Sequence, residues 1–418
     1  MAPWSVERMT ALAREIAEKT KTITGHLSSK GLGRHLTMSM AWPNSPSRPR
    51  TRSQLHDVAV GPKESLRYLA WDSADSPSLQ ALCEFKVPQA VPLDGIISYE
   101  DLAAKVVALN DGLDIPVLNL RRLVRHAMTN RIFAEPKKGF LAHTRVSRLM
   151  LEDEALSSWV GFMTHDLWLP MANVVGAMRR WPASEESTET GVNLAYRQGA
   201  AFFDYIQQDQ ALAQRYSLAM QAHGGGEGYS VASVVEGYRW GRLPEDATVI
   251  DGYISFAIAE AFPSLRFIVQ DTVGMRTPET IGAVLEALQP RVQLTTHNFF
   301  TPQPVVADAY FFRHIFHGYA DKYCIQILQA LVPALRPGAK VIINDGALPE
   351  PGTAGYIEER TMQTMDIIMQ VTVNAREREP DNWRMLFERA DGRFRFGGCW
   401  RPEKSRMWFI EAEWAGEV

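Results

Sequence analysis

The stretch from Ala247 to Asp271, ATVIDGYISFAIAEAFPSLRFIVQD, constrains this chain of 418 residues more than any other. Thr248 to Ile250 reads as a buried strand, Asp251-Gly252 as a turn, Ser255 to Ala261 as a helix, and the segment closing at Asp271 as a second strand. In doubly wound sheets this unit holds a nucleoside, with the closing carboxylate on the ribose hydroxyls. The turn contains one glycine, Gly252, where close approach of a cofactor to main chain usually needs two or three. Tyr253 and Ile254 follow it. Their side chains are expected to block that approach and to make a left-handed backbone costly.

Strand and helix patterns keep alternating after this unit. VQLTTHNF, ADAYFF (307–312) and KVIINDGAL (340–348) are predicted strands, and CIQILQALVPALRPG is a predicted helix stopped by Gly338. GRFRFGGCW and SRMWFIEAEW alternate in polarity and predict a closing antiparallel hairpin. The pattern is that of an α/β, Rossmann-like sheet.

The N-terminal half differs. Residues 4–27 show helical spacing at Met9, Leu12, Ile16 and Ile23, and a proline-rich linker or loop follows at 44–54. Residues 97–143 predict helix, helix and two short strands around Lys138-Gly139, a winged-helix pattern. Ser98, three residues before Asp101, predicts a capping box with Asp in place of Glu. Residues 147–222 are predicted helical, and Gly224-Gly225-Gly226 reads as a helix stop and joint rather than a phosphate loop, because no strand precedes it and no Gly-Lys-Ser/Thr follows.

Arg121, Arg122 and Arg125 on the second helix of the winged unit would suit DNA. A net charge of −4 and the lack of a wider basic face favour dimerisation instead. Cys83, Cys324 and Cys399 are odd in number and lack metal-ligand spacing, which fits a reducing compartment and predicts no metal. With no apolar leader and no run approaching ~18 apolar residues, the expectation is a cytoplasmic protein with no membrane or nucleic-acid partner.

Four blocks then carry a resemblance: AEAFPSLRFIVQD (259–271), HNFFTPQPVVADAYFFRHIFHGYADKYCIQIL (297–328), PALRPGAKVIINDGALPEPG (333–352) and NAREREPDNWRMLF (374–387). Together they resemble the plant-type small-molecule O-methyltransferases, especially the fungal secondary-metabolism branch, over most of residues 95–418. The resemblance implies a helical and winged-helix dimerisation domain at 1–150, a helical linker and substrate-pocket segment at 151–240, and a class I methyltransferase sheet domain at 241–418. It also implies a homodimer through the N-terminal domain and a hydrophobic small-molecule substrate.

Residue by residue, the family's His-Asp-Trp base falls on His317, in His-Gly-Tyr. The carboxylate before Leu-Pro falls on Asp345, beside Asn344, and a second one falls on Glu377, in Arg-Glu-Arg-Glu. An imidazole takes a proton near neutral pH, and carboxylates fix its tautomer or orient the substrate. On the donor side, the Asp-x-Gly-x-Gly loop for S-adenosylmethionine falls on Asp251 and Gly252, the ribose acid on Asp271 and the adenine-side acid on Asn298, with Arg313 nearby. His165, among Met163, Trp168 and Met171, corresponds to a pocket wall and is, with His317, a candidate catalytic donor or proton shuttle that Asp345, Asn344 and Glu377 would orient; Trp240 and Met365 are further walls.

The reduced donor loop argues against S-adenosylmethionine as methyl donor. The leading expectation is therefore a member of the family's pericyclase branch, catalysing dehydration or pericyclic cyclisation (Alder-ene or hetero-Diels–Alder type) of a polyketide–peptide, 2-pyridone-like intermediate. The alternative is an S-adenosylmethionine-dependent O-methyltransferase for a phenol or enol, and the third is a non-catalytic winged-helix regulator.

Overall fold

The computed structural model describes residues 60–226, 228–252, 254–272 and 291–416, with isolated positions at Arg14, Glu18, Lys21 and Leu288. Most of the predicted N-terminal helix, the linker at 44–54 and Tyr253 lie outside the described residues. The chain divides into two compact units, Met1–Ala74 with Glu350–Glu359, and Asp75–Pro349 with Arg360–Val418. In the first, a helix at Pro62–Trp71 opens with proline in its first turn, where the missing N–H would be unpaired anyway. All that follows concerns the second.

That unit begins as the winged helix the sequence predicted. β1 (Ile97–Ser98), β2 (Ala134–Lys137) and β3 (Phe140–Ala142) form a small sheet in the order β1-β3-β2 beside helices α1 (Tyr99–Leu109) and α2 (Val117–Thr129). Ser98 caps α1 by accepting from the Asp101 amide at 3.0 Å. The predicted reciprocal bond takes another form, since the Asp101 carboxylate accepts the Ser98 hydroxyl at 2.7 Å. Leu102, Val106, Leu120 and Val124 bury one face of each helix around Leu141.

A helical layer follows. α3 (Gln210–Gly224) ends where the triple glycine begins, Gly225 donating to the Gln221 carbonyl at 2.9 Å. Upstream, Phe162–Asp166 widens into a π-turn.

The sheet has seven strands: β4 (Thr248–Asp251), β5 (Arg266–Asp271), β6 (Val292–Thr296), β7 (Ala309–Arg313), β8 (Lys340–Asp345), β9 (Phe394–Trp400) and β10 (Trp408–Trp414), in the order β6-β5-β4-β7-β8-β10-β9. The first five are parallel, and the predicted hairpin adds antiparallel β10 and β9 at one edge. Strands buried on both faces need continuous apolar runs rather than alternation; accordingly Val341, Ile342 and Ile343 of β8 are all buried. Helices cover both faces. α5 (Asp321–Leu331) turns Cys324, Ile327, Leu328 and Leu331 inward at i, i+3, i+4, i+7 spacing, joined by Trp383 and Phe387 of α6 (Pro380–Ala390). On the other face Ile258 and Ala259 of α4 (Ser255–Ala261) pack with Trp240 against Val249, Phe267 and Phe311. Among the described residues, no helix is long and apolar enough to cross a membrane.

Candidate active site

The chain runs outward from β4 through β5 to β6, then returns to the opposite side of β4 as β7. Such a reversal opens a crevice at the carboxyl ends of the strands. Asp251, Asp271, Arg313 and Asp345 are the last residues of β4, β5, β7 and β8, so all four stand along that edge.

Beyond β7, His314 adopts a left-handed φ of 53° and a single 3₁₀ turn, Phe316–Gly318, presents His317. Three groups fix this turn. The Phe316 amide donates to Asp345 Oδ2 at 2.9 Å. Arg378, with no exposed surface, donates to the carbonyls of Phe316 and Tyr319 at 2.8 Å each and pairs with Asp321 at 2.9 Å. Glu377, one residue earlier, is anchored through its amide to Asp366 Oδ1 at 2.8 Å and places Oε1 at 3.0 Å from His317 Nδ1. Room for Glu377 comes from Gly346, where a Cβ would lie 2.4 Å from Glu377 Oε2.

Burial by itself would lower the basicity of His317. The charge and hydrogen bond of Glu377, with Asp345 behind, outweigh it and lift the imidazole to about 9. Burial pushes Asp345 up to about 6, against the pull of His317 and the Phe316 amide. His223, buried and facing the charges of His317 and Arg406, falls to about 4. His314 is driven well below the ordinary range by burial and by His317 and Arg313. The site therefore holds one cationic imidazole and two neutral ones at neutral pH.

These residues line a cleft of about 380 Å³, part of it open to solvent. Met362, Met365 and Met407 supply its apolar wall, Tyr229 and His223 an aromatic one with ring centroids 4.5 Å apart, and Arg406 a cation at the margin. Thioethers and aromatic rings suit a flat hydrophobic molecule, with His317 as the polar handle.

Comparison with known proteins decides the family. An O-methyltransferase domain family matches residues 183–393. The chlorophenol O-methyltransferase of Trichoderma longibrachiatum is 35% identical over 433 residues, covering 97% of this chain and 90% of that protein. The chain belongs to the O-methyltransferase family. Two solved structures share its fold: OxaC in complex with SAH and oxaline (20% identity, TM-score 0.70, 94% and 100% of the two chains) and a pericyclic reaction enzyme (18% identity, TM-score 0.65, 94% and 100%).

Within this O-methyltransferase fold, His317, Glu377 and Met365 meet at the cleft, with Asp345 directly behind. Asn344 is buried and donates to the Trp408 carbonyl at 2.9 Å. Trp240 lies wholly in the sheet core, its indole N–H on the Val234 carbonyl at 3.0 Å. His165 sits on the π-turn, its side chain 48% exposed and paired with Glu84. Met163 and Met171 pack in the helical layer, and Trp168 is half-buried at the start of the helix Trp168–Arg180.

The donor side differs from expectation at one residue. Ile254 has φ −68° and ψ −18°, an ordinary right-handed conformation, and packs against the sheet core. It does not strain the turn, and its side chain is committed to the sheet core. Among the described residues, a Cβ at Gly252 would meet nothing within 4 Å. Arg313 donates through one nitrogen to the Tyr229 carbonyl at 2.8 Å, while its buried Nη1 has no partner among the described residues. Asp271 accepts from the Thr272 amide at 2.7 Å and Asn298 from the Phe300 amide at 3.0 Å. A glycine, an orphan guanidinium N–H and a strand-end carboxylate fit a nucleoside bearing its own carboxylate. Asp251 points inward, bonded to the Ser255 hydroxyl at 2.8 Å; burial pushes it up to about 7, with Ser255, the Gly252 amide and Arg313 pulling back.

Sequence reasoning missed His223, Tyr229, His314, Met362, Arg406, Met407 and Gly346. His314 stood three residues before the predicted base, a visible signal. Gly346 adjoins Asp345 and Met362 lies one turn before Met365, whereas His223, Tyr229, Arg406 and Met407 come from segments that only the fold brings to the site.

Proposed function

We propose that this chain is an S-adenosylmethionine-dependent O-methyltransferase acting on a phenolic or enolic hydroxyl of a hydrophobic secondary metabolite. The observation that carries this reading is the 3.0 Å contact between His317 Nδ1 and Glu377 Oε1 at the methionine-lined cleft. It fixes the imidazole so that Nε2 is left to meet the acceptor hydroxyl. The alternative ranked first on sequence drops behind because Ile254, one of its two obstructing side chains, packs against the sheet core.

In this mechanism His317, when neutral, takes the acceptor proton at Nε2, and Glu377 and Asp345 stabilise the imidazolium that forms. A phenol with a pKa of ~10 lies about one unit above the imidazolium, so the transfer is uphill by only ~1.4 kcal/mol. The methionine wall excludes water, and Tyr229 and His223 orient the ring plane. When bound, S-adenosylmethionine supplies the methyl group, and Gly252, Asp271 and Arg313 are the residues that would hold it.

The test is incubation of the protein with S-adenosylmethionine and a panel of substituted phenols. Methyl ether should form with one equivalent of S-adenosylhomocysteine, at a rate that climbs from pH 7 towards 9 as His317 loses its proton. No product across the panel, with no calorimetric binding of the cofactor, would overturn the reading.

A second reading, dehydration or pericyclic cyclisation without methyl transfer, is favoured by the inward-turned Asp251 and by the mere three residues between β4 and α4. There the protonated imidazole of His317 would polarise a substrate oxygen as donor, worth ~3 kcal/mol if well placed. Its rate would fall rather than rise as pH passes 9.

A further inference from the structure

We propose that His314, His317 and Asp345 form a binding site for a divalent transition-metal ion of the zinc type. One ligand atom from each of these residues lies within 4.8 Å of the other two. A tetrahedral ion with bonds of ~2.0 Å holds its ligand atoms ~3.3 Å apart, so the three need to converge by about 1.5 Å at most, within reach of side-chain torsions.

A second feature points to the same place. Asp345 is fully buried, yet only Oδ2 is bonded, to the Phe316 amide; Oδ1 has no partner among the described residues. Glu377 likewise leaves Oε2 unbonded. A buried carboxylate oxygen without a partner is destabilising unless something satisfies it. Two imidazoles and a carboxylate match the donor set of zinc.

The outer shell is also in place. A histidine that binds metal through one nitrogen usually donates the other N–H to a carboxylate, which fixes the ring and strengthens the ligand. His317 has this arrangement through Nδ1 and Glu377, leaving Nε2 to the ion. The same nitrogen serves acceptor chemistry in the proposed function, so an ion there would displace it. Metal binding itself does not depend on that function and is measured without substrate or cofactor.

The experiment uses untagged, chelator-treated full-length protein titrated with Co²⁺, read by its visible d–d absorption, followed by displacement with Zn²⁺. One tetrahedral Co²⁺ per chain should appear and be displaced by Zn²⁺. His314→Asn, whose side chain tolerates a left-handed backbone, should weaken binding at least ~10-fold, and Glu377→Gln should weaken it ~10–100-fold through the outer shell. Asp345→Asn keeps an acceptor for the Phe316 amide and should also lose the spectrum. Absence of the tetrahedral spectrum in wild type, or equal affinity in wild type and His314→Asn, would overturn the site whatever the enzymatic activity proves to be.

Discussion

A histidine lifted to about 9 is a poor base at pH 7 and a good one at pH 9, so His317 determines how this site responds to proton concentration. Replacing it with Ala should lower turnover ~10²–10⁴-fold, the usual worth of a general acid or base, measured as product formation at saturating substrate. The same shift has a consequence for folding. An imidazole raised above its unfolded value near 6.5 stabilises the folded state fully below pH 6.5, and that stability drains away as pH rises through about 9. Denaturant unfolding at pH 6 and pH 9.5 should show the loss in wild type and a smaller loss in His317→Gln. Gly346 offers a cleaner probe of the Glu377 contact. Its φ is outside the left-handed region, so Ala strains no backbone, but the added Cβ would lie 2.4 Å from Glu377 Oε2 and must push the carboxylate off His317. Gly346→Ala should stay folded, cut turnover ~10-fold or more, and shift the pH profile to lower pH; an unchanged profile would remove Glu377 from the tuning of His317.

At the level of elements, one of the three groups that hold the turn presenting His317, the buried Arg378, donates to its carbonyls. Arg378 satisfies the Phe316 and Tyr319 carbonyls and pairs with Asp321, which is itself only 15% exposed. Without Arg378, Asp321 would still pair with Arg376 at 2.6 Å, but the Phe316 and Tyr319 carbonyls would each lose a charged donor, and a hydrogen bond to a charged group is typically worth ~1.5–3 kcal/mol. Arg378→Met should therefore lower both the Tm in calorimetry and the activity, with a larger fall in Tm at pH 9.5, where His317 no longer contributes its charge, than His317→Ala shows. None of this was visible as pattern. The βα alternation, the terminal hairpin, the helix stop at Gly225 and the winged unit were legible because each rests on local periodicity or turn chemistry. Arg378, Asp366 and Gly346 were not, because their roles depend on which distant backbone groups the fold brings beside them. Ile254 shows the same limit from the other side: bulk after a lone glycine reads as obstruction, yet the fold turns that bulk into the core.

For the whole molecule, charge is the property that decides between catalyst and regulator. The sequence left open whether Arg121, Arg122 and Arg125 face nucleic acid. The fold spends two of them on their own unit: Arg125 forms a two-pronged pair with Glu135 at 2.7 and 2.9 Å, and both Arg121 and Arg125 lie over the Tyr99 ring. Only Arg122 of the three is left as an exposed cation on α2 without such a contact among the described residues. Affinity for duplex DNA falls as salt rises, with a slope set by the number of phosphates neutralised. One uncommitted arginine on α2, in a chain of net charge −4, predicts a shallow slope and weak affinity. Fluorescence anisotropy of a labelled random duplex should show no retention at 150 mM salt, and weak binding at most at 20 mM. Firm binding at 150 mM that Arg125→Ala weakens would mean that the Glu135 pair opens on DNA, and the winged unit would then have a role that its own ion pairs argue against.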